Sequence, residues 1–118
     1  MTLNEIIEIV NGRIFTHRVN LDIEVSSGGA SDLMSDVLAF VKPGCLLLTG
    51  LIHPQTIRTA EMAEVAAIAF VRGKIPIQET IDLAEELGIP LIGSLYGMYE
   101  ICGRLYQKGL KPTMKDDD

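Results

Sequence analysis

Cysteine and basic side chains are scarce in this chain of 118 residues. Its two cysteines, Cys45 and Cys102, are too few for a disulfide framework. The 10 lysines and arginines are outnumbered by 16 aspartates and glutamates, so the chain lacks the basic surface that nucleic-acid binding requires. Half of the net charge of −6 comes from the three aspartates at the end of the chain, and we expect residues 113–118 to form an acidic, disordered tail.

A membrane-spanning segment and a secretion signal are also missing. No apolar run approaches the roughly 20 residues that a helix needs to cross a bilayer. The first ten residues, MTLNEIIEIV, lack the basic start and the small-residue cleavage site of a signal peptide. We therefore expect a cytoplasmic protein that makes no contact with membranes.

Catalytic and metal-binding motifs are absent as well. The sequence contains no GxxxxGK[ST] loop for phosphoryl transfer and no nucleophile-elbow pattern. His17, His53, Cys45 and Cys102 have no ligand-pair spacing, so we predict neither a metal site nor any other cofactor. These absences favour a protein that is not an enzyme.

Apolar residues, by contrast, are abundant: they make up 47% of the chain, and its mean hydropathy is +0.27. The length suits one domain, which we assign to residues 1–112. A domain of this size buries only about two-thirds of the surface that its unfolded chain exposes. The apolar surplus therefore predicts a subunit interface, most simply that of a homodimer.

The pattern of residues in the first quarter of the chain predicts a helix followed by extended segments. A capping box, TLNE at residues 2–5, precedes apolar residues at helical intervals. Residues 13–16 and 21–25 are typical of strands, with apolar–polar alternation in the second segment. We predict that SSGG at residues 26–29 is a loop. The backbone N–H groups of this loop could bind a phosphate, but Asp32 in the first turn of the following helix would repel an anion, so we favour a plain loop with a helix cap.

From residue 31 onwards the pattern alternates between helices and buried strands. Helices are predicted over residues 31–41, 54–64, 77–87 and 97–108, and strands over 45–49, 67–71 and 89–93. The strands lack polar alternation, as expected when helices cover both faces of a parallel sheet. The predicted fold is an α/β protein, a three-layer α/β/α sandwich with a largely parallel central sheet.

Four segments carry a resemblance to the DRTGG domain family. They are VKPGCLLLTG at residues 41–50, AIAFV at 67–71, LAEELGIPLI at 83–92 and SLYGMYE at 94–100. The resemblance covers nearly the whole chain and implies a stand-alone DRTGG domain, similar to the N-terminal, non-catalytic domain of HPr kinase/phosphorylase. The chain departs from the family pattern at residues 51–53 and 72–74, where LIH and RGK replace DR and TGG. DRTGG domains look regulatory or dimer-forming, which is what the resemblance implies here.

The loops that follow the buried strands contain the candidate ligand-binding residues. Ligands of parallel α/β folds bind in the crevice beyond the carboxyl ends of the strands. The cations, hydroxyls and glycines at this edge suit a small anionic ligand such as a nucleotide. The predicted site consists of Thr49, Gly50, His53, Arg72, Gly73, Lys74, Ser94 and Tyr96. The alternative is that these loops are ordinary turns, with His53 at a helix start and the two cations solvated.

Two functions are therefore consistent with the sequence. The first is a non-catalytic regulatory module that binds a small anionic ligand and works as a homodimer. The alternative is a protein-interaction or assembly module without a small-molecule ligand. Its contact surface would consist of Leu21, Ile23 and Val25, together with the helix of residues 96–106.

Overall fold

A computed structural model of the protein describes residues 1–113. The predicted acidic tail therefore lies outside the described residues, except for Thr113. The Thr113 N–H donates to the Gly28 carbonyl over 2.8 Å, and the Thr113 hydroxyl accepts from the Lys42 N–H over 2.8 Å. Thr113 thus belongs to the folded body and not to a disordered tail.

The centre of the fold is a five-stranded sheet with the strand order β1-β5-β4-β3-β2. The strands are β1 (Arg13–Ile14), β2 (Ser27–Ala30), β3 (Cys45–Thr49), β4 (Ala67–Phe70) and β5 (Leu91–Gly93). Strands β2 to β5 run parallel, whereas β1 pairs antiparallel with β5. The carboxyl ends of the four parallel strands consequently lie at one edge of the sheet.

Within residues 1–113, five helices cover the sheet on both faces. They are α1 (Leu3–Ile9), α2 (Met34–Phe40), α3 (Pro54–Met62), α4 (Gln78–Leu87) and α5 (Met98–Gln107). In β3, Leu46 and Leu48 belong to a core shared with α1 and α5, whereas Cys45 and Leu47 belong to a core shared with the other three helices. All five residues of β3 are buried, because helices exclude water from both faces of the sheet. This arrangement confirms the predicted three-layer α/β/α sandwich.

The helix boundaries follow from local chemistry. Helix α1 begins with the predicted capping box, in which the Thr2 hydroxyl accepts from the Glu5 N–H and the Glu5 carboxylate accepts from the Thr2 N–H. Pro54 occupies the first turn of α3, where its missing N–H leaves no hydrogen bond unmade. Helix α4 ends at Gly88, whose φ of 74° is left-handed and favours glycine.

Two of the predicted segments near the N-terminus were wrong. SSGG is not a loop, because it forms most of β2, the edge strand beside β3. Leu110 and Thr113 pack closely on the glycines of β2: a Cβ on Gly28 would lie 2.9 Å from Leu110 Cδ2, and one on Gly29 would collide with Thr113. Residues 21–25 do not form a strand. Glu24 makes a single antiparallel bridge with Thr2, the N-cap of α1, and the side chains of the segment alternate in burial as predicted.

None of the helices within residues 1–113 has the length and apolar character needed to cross a membrane. Several large apolar side chains nevertheless remain on the surface of the sandwich. On α5, Tyr99 and Tyr106 are 95% and 71% exposed, and Leu95 in the preceding loop is 83% exposed. These side chains are therefore available for contacts outside the fold.

Candidate functional site

The loops after β4 and β5 are joined by backbone hydrogen bonds at the carboxyl edge of the sheet. The Arg72 N–H donates to the Tyr96 carbonyl over 2.7 Å, and the Gly73 N–H donates to the Ser94 carbonyl over 2.8 Å. A third bond closes the turn itself, from the Lys74 N–H to the Val71 carbonyl over 3.1 Å. These hydrogen bonds fix the backbone of residues 72–74, and with it the positions from which the Arg72 and Lys74 side chains extend.

A cleft of about 310 Å³ lies between the loops that follow β3 and β4, and we call it the Arg72 cleft. Its lining residues are Asp32, Gly50, Leu51, Val71, Arg72, Lys74 and Met98. The topology therefore brings Gly50, Arg72 and Lys74 of the predicted site to one place. Asp32 was not among the predicted residues, yet it lines the same cleft.

The Asp32 carboxylate binds two hydrogen-bond donors of the predicted anion site, the Thr49 hydroxyl and the Gly50 N–H. Its Oδ1 accepts from the Thr49 hydroxyl over 2.8 Å and from the Gly50 N–H over 2.7 Å. Thr49 is fully buried and its hydroxyl also accepts from the Leu51 N–H, so this side chain has a structural role. A signal for Asp32 existed in the sequence, because it follows β2 just as Gly50 follows β3, but only once β2 is recognised as a strand.

Arg72 and Lys74 supply the positive charge of the cleft. Both side chains are exposed, and neither forms a hydrogen bond or an ion pair within the part of the chain that the structure describes. Arg72 has a φ of 57° and is followed by Gly73 with a φ of 71°. A left-handed conformation is unfavourable for a residue with a Cβ, so the backbone at Arg72 is strained.

A second cleft of about 330 Å³ adjoins the first, and we call it the Leu95 cleft. Its lining residues are Asn11, Arg13, Phe15, Gly73, Lys74, Ile75, Gly93, Ser94 and Leu95. Lys74 lines both clefts and is the residue that connects them. Of the predicted site residues, Gly50 and Arg72 line the first cleft, Gly73 and Ser94 line the second, and Lys74 lines both.

The side chains of Ser94, Tyr96 and His53 differ in the contacts that they make within the fold. The buried Ser94 hydroxyl donates to the Val10 carbonyl over 2.7 Å and accepts from the Tyr96 N–H, so it is committed to the fold. The Tyr96 ring lies under the Arg104 guanidinium, whose central carbon is 4.3 Å from the ring centre. His53 precedes α3 at the cap position, but its side chain makes no capping hydrogen bond. Neither Tyr96 nor His53 lines either cleft.

The cysteine thiols are not poised for nucleophilic chemistry. Burial raises the pKa of the Cys45 thiol to about 12, and burial also raises the pKa of the Cys102 thiol. Within residues 1–113, no group of three or more histidine, cysteine, aspartate or glutamate side chains is placed to hold a metal ion. The residues that line the two clefts offer charge, hydrogen bonding and apolar contact.

No family model and no curated protein matches this sequence. Among solved structures, the chain is similar to the CBS and DRTGG domains of the regulatory region of Clostridium perfringens pyrophosphatase, crystallised with the activator diadenosine tetraphosphate. The TM-score is 0.71 at 17% sequence identity, and the match covers 99% of this chain and 51% of that one. The chain therefore has a related fold and spans about half the length of that neighbour.

Proposed function

We propose that this chain is a non-catalytic, DRTGG-type regulatory domain that binds a small anionic ligand, such as a nucleotide, in the Arg72 cleft. The observation that carries the proposal is the pair of cations on the fixed 72–74 segment, whose side chains have no partner among residues 1–113. Charge-assisted hydrogen bonds from such cations are the strongest that a protein offers to a phosphate or carboxylate. Their position at the carboxyl ends of parallel strands is where this class of fold binds ligands.

The electrostatic balance of the cleft supports an anionic ligand. The chain carries a net charge of −6, yet within residues 1–113 the cleft that Arg72 and Lys74 line contains a single carboxylate, that of Asp32. Oδ1 of that carboxylate is already engaged by Thr49 and Gly50. The cations therefore retain hydrogen-bonding capacity for a ligand in solution.

The backbone strain at Arg72 is a second supporting observation. Glycine would adopt a φ of 57° without a steric penalty, so an arginine at this position lowers the stability of the fold. Strained backbone conformations cluster at ligand-binding and active sites, where the side chain is needed in a position that an unstrained backbone would not give it. Glu64 has the same φ and lines neither cleft, so the strain supports a binding role for Arg72 only together with the position of Arg72 in the cleft.

The regulatory part of the proposal rests on the fold. The similar structure is described as the regulatory region of a pyrophosphatase in complex with a nucleotide activator. The resemblance of residues 41–50 and 83–100 to DRTGG domains points to the same class of module. We propose by extension that the ligand changes how this domain acts on a partner or on a second copy of itself.

We also propose that the domain is a homodimer. Phe40 on α2 and Met62 on α3 are more than half exposed, and these two helices pack side by side. Exposed apolar side chains on adjacent helices are typical of subunit interfaces. Light scattering at micromolar concentration tests this point, and a mass of 12.9 kDa would contradict it.

An assembly module without a small-molecule ligand is the second candidate function. The exposed rings of Tyr99 and Tyr106 on α5 favour it, because tyrosine is enriched at protein interfaces. Of the other residues predicted for this surface, Val25 is buried, whereas Leu21 and Ile23 are partly exposed. All three pack against the protein's own core.

A thermal-shift screen followed by calorimetric titration tests the ligand-binding proposal. A ligand at 100 times its dissociation constant stabilises the native state by about 2.7 kcal/mol, which raises the melting temperature by several degrees in a domain of this size. Adenine and guanine nucleotides, dinucleotides and pyrophosphate form the panel. Arg72→Ala and Lys74→Ala should each weaken binding at least tenfold, an effect of about 1.4 kcal/mol.

Arg58 provides the matched control. It is an exposed arginine on α3 that lines neither cleft, so Arg58→Ala removes the same charge from a different place. Equal losses of affinity in Arg58→Ala and Arg72→Ala would indicate a general charge effect and would contradict the site. No stabilisation by any member of the panel would favour the assembly module.

A further inference from the structure

The Leu95 cleft has apolar walls that the fold itself leaves uncovered. Leu95 is 83% exposed and Ile75 is 56% exposed, and both line this cleft. Each side chain therefore leaves most of its apolar surface in contact with water. A ligand group that covered them would gain the free energy of removing that surface from water.

The floor of the cleft is rigid. Gly93 lies against the Phe15 ring so closely that a Cβ on Gly93 would be 2.6 Å from Phe15 Cε2. The Phe15 ring also meets the Phe70 ring in an edge-to-face arrangement with centres 6.5 Å apart. Because the ring is held from two sides, a ligand would lose little free energy in ordering it.

Two cations stand beside this apolar surface. The Arg13 guanidinium carbon lies 5.0 Å from the centre of the Phe15 ring, and Arg13 is exposed. A guanidinium held over one aromatic ring is a flat surface on which a second ring can stack. Lys74 lines the cleft as well as the Arg72 cleft, so an anionic group beside Lys74 is within reach of both.

We infer that the Leu95 cleft is a subsite for a flat aromatic ring, specifically a nucleobase, whose attached phosphates are held by Arg72 and Lys74. This inference rests on the proposed function and specifies the ligand further. The volume of about 330 Å³ is at the small end of ligand sites, which suits a ring better than a peptide. Apolar walls, a stacking guanidinium and an adjacent lysine are complementary to a base that carries a phosphate chain.

The test compares ADP with inorganic pyrophosphate, which offers the phosphates without the base. Calorimetric titration of the full chain should show ADP binding about tenfold more tightly than pyrophosphate, as expected for one stacked base. Leu95→Ser should remove most of that advantage and leave pyrophosphate affinity unchanged. Leu95 is exposed in the fold, so the variant keeps its core.

Leu33→Ser is the matched control, because Leu33 is a 58% exposed leucine just before α2 that lines neither cleft. It should leave the affinity for both probes unchanged. A direct readout comes from the Leu95 methyl resonances, which a stacked adenine should shift through its ring current. Pyrophosphate should not shift them.

The outcomes separate this inference from the proposed function. If ADP and pyrophosphate bind equally well and Leu95→Ser changes neither affinity, the base subsite is overturned while the Arg72 cleft stands. If neither probe nor any other nucleotide binds, the proposed function fails and the subsite fails with it. If ADP binds more tightly and shifts the Leu95 methyls, the subsite is supported.

Discussion

The Asp32 carboxylate accepts a hydrogen bond of 2.8 Å from the hydroxyl of Thr49, which ends the neighbouring parallel strand. The same oxygen accepts from the Gly50 N–H over 2.7 Å. Thr49 is fully buried, so its hydroxyl needs a partner inside the protein. One acidic side chain thus ties the segment after β2 to the end of β3 and also places a negative charge beside Arg72.

The structural role of this side chain predicts a loss of stability in Asp32→Ala. The variant leaves the Thr49 hydroxyl and the Gly50 N–H without their acceptor, and an unsatisfied buried group costs about 1–3 kcal/mol. Asp32→Asn retains a carbonyl oxygen at the same position, so it should lose less of the free energy of unfolding. Urea unfolding of the three proteins measures the difference, and equal stability of Asp32→Ala and wild type would contradict it.

The electrostatic role of the same side chain predicts the opposite effect on ligand binding. Among residues 1–113, Asp32 supplies the only carboxylate that lines the Arg72 cleft, so Asp32→Asn should make pyrophosphate bind more tightly, by up to about tenfold. Asp36→Asn is the control, because it removes an equal charge from the exposed first turn of α2. An equal gain of affinity in both variants would show that only net charge matters.

The regular part of the fold was predictable because its signals are local. β3 begins and ends where its apolar run does, at Cys45 and Thr49. Helix α4 ends at Gly88, where a left-handed residue is needed. The edge strand β2 was missed because its glycines reflect contact with Leu110 and Thr113, which are distant in sequence. Glycine in a local window favours a turn, and only the tertiary contact shows otherwise.

The candidate site was predictable in its position but not in its details. The order of strands and helices places residues 50, 72 and 74 at one edge of the sheet, and the structure has them in one cleft. Sequence does not reveal which way a hydroxyl points. The Ser94 and Thr49 hydroxyls satisfy a carbonyl and a carboxylate of the protein's own fold. Asp32 was left out of the predicted site because β2, the strand that precedes it, was not predicted.

The backbone at Arg72 predicts that stability and binding can be changed in opposite directions. Arg72→Gly relieves a left-handed penalty of about 1–2 kcal/mol but increases the freedom of the unfolded chain. The net result should be a gain of about 0.5–1 kcal/mol in the free energy of unfolding, together with a loss of pyrophosphate binding. Arg72→Ala retains the penalty and should lose binding without gaining stability.

Glu64 offers a matched control for the backbone effect. It has the same φ of 57° but lies after α3 and lines neither cleft. Glu64→Gly should therefore gain similar stability and keep full affinity for the ligand. Thermal or urea unfolding and calorimetric titration of the three variants measure both quantities. Loss of affinity in Glu64→Gly would show that the effect at position 72 is not local.

The close packing of the chain end on β2 predicts that Gly29→Ala is destabilising. The new Cβ would collide with the Thr113 methyl group, and forcing a methyl group into a packed contact costs about 1–3 kcal/mol. Thr113→Ser removes that methyl and keeps the hydroxyl that accepts from the Lys42 N–H. The double variant should recover most of the lost stability, and a double-mutant cycle by urea unfolding measures the coupling. Simple additivity of the two changes would contradict the contact.

Glu85 on α4 predicts part of the acid sensitivity of the fold. Its carboxylate accepts from the His17 N–H over 3.0 Å and from the Arg18 N–H over 3.1 Å. These bonds, the His17 bond foremost, hold the pKa of Glu85 below its usual value of 4.5 in the folded protein. A carboxyl with a lowered pKa in the native state stabilises that state above the pKa it has when unfolded. The contribution is then lost as the pH falls through the folded pKa.

Glu85→Gln removes this titration, so the stability difference between wild type and variant should be largest at pH 7 and should shrink below about pH 4.5. Urea unfolding at intervals from pH 7 to pH 3 measures that difference, and carboxyls that titrate in both proteins cancel from it. Glu86→Gln is the control, because the Glu86 side chain is exposed and forms no hydrogen bond within residues 1–113. If the stability difference between wild type and Glu85→Gln were constant from pH 7 to pH 3, the hydrogen bonds from the His17 and Arg18 N–H groups to Glu85 would not stabilise the fold.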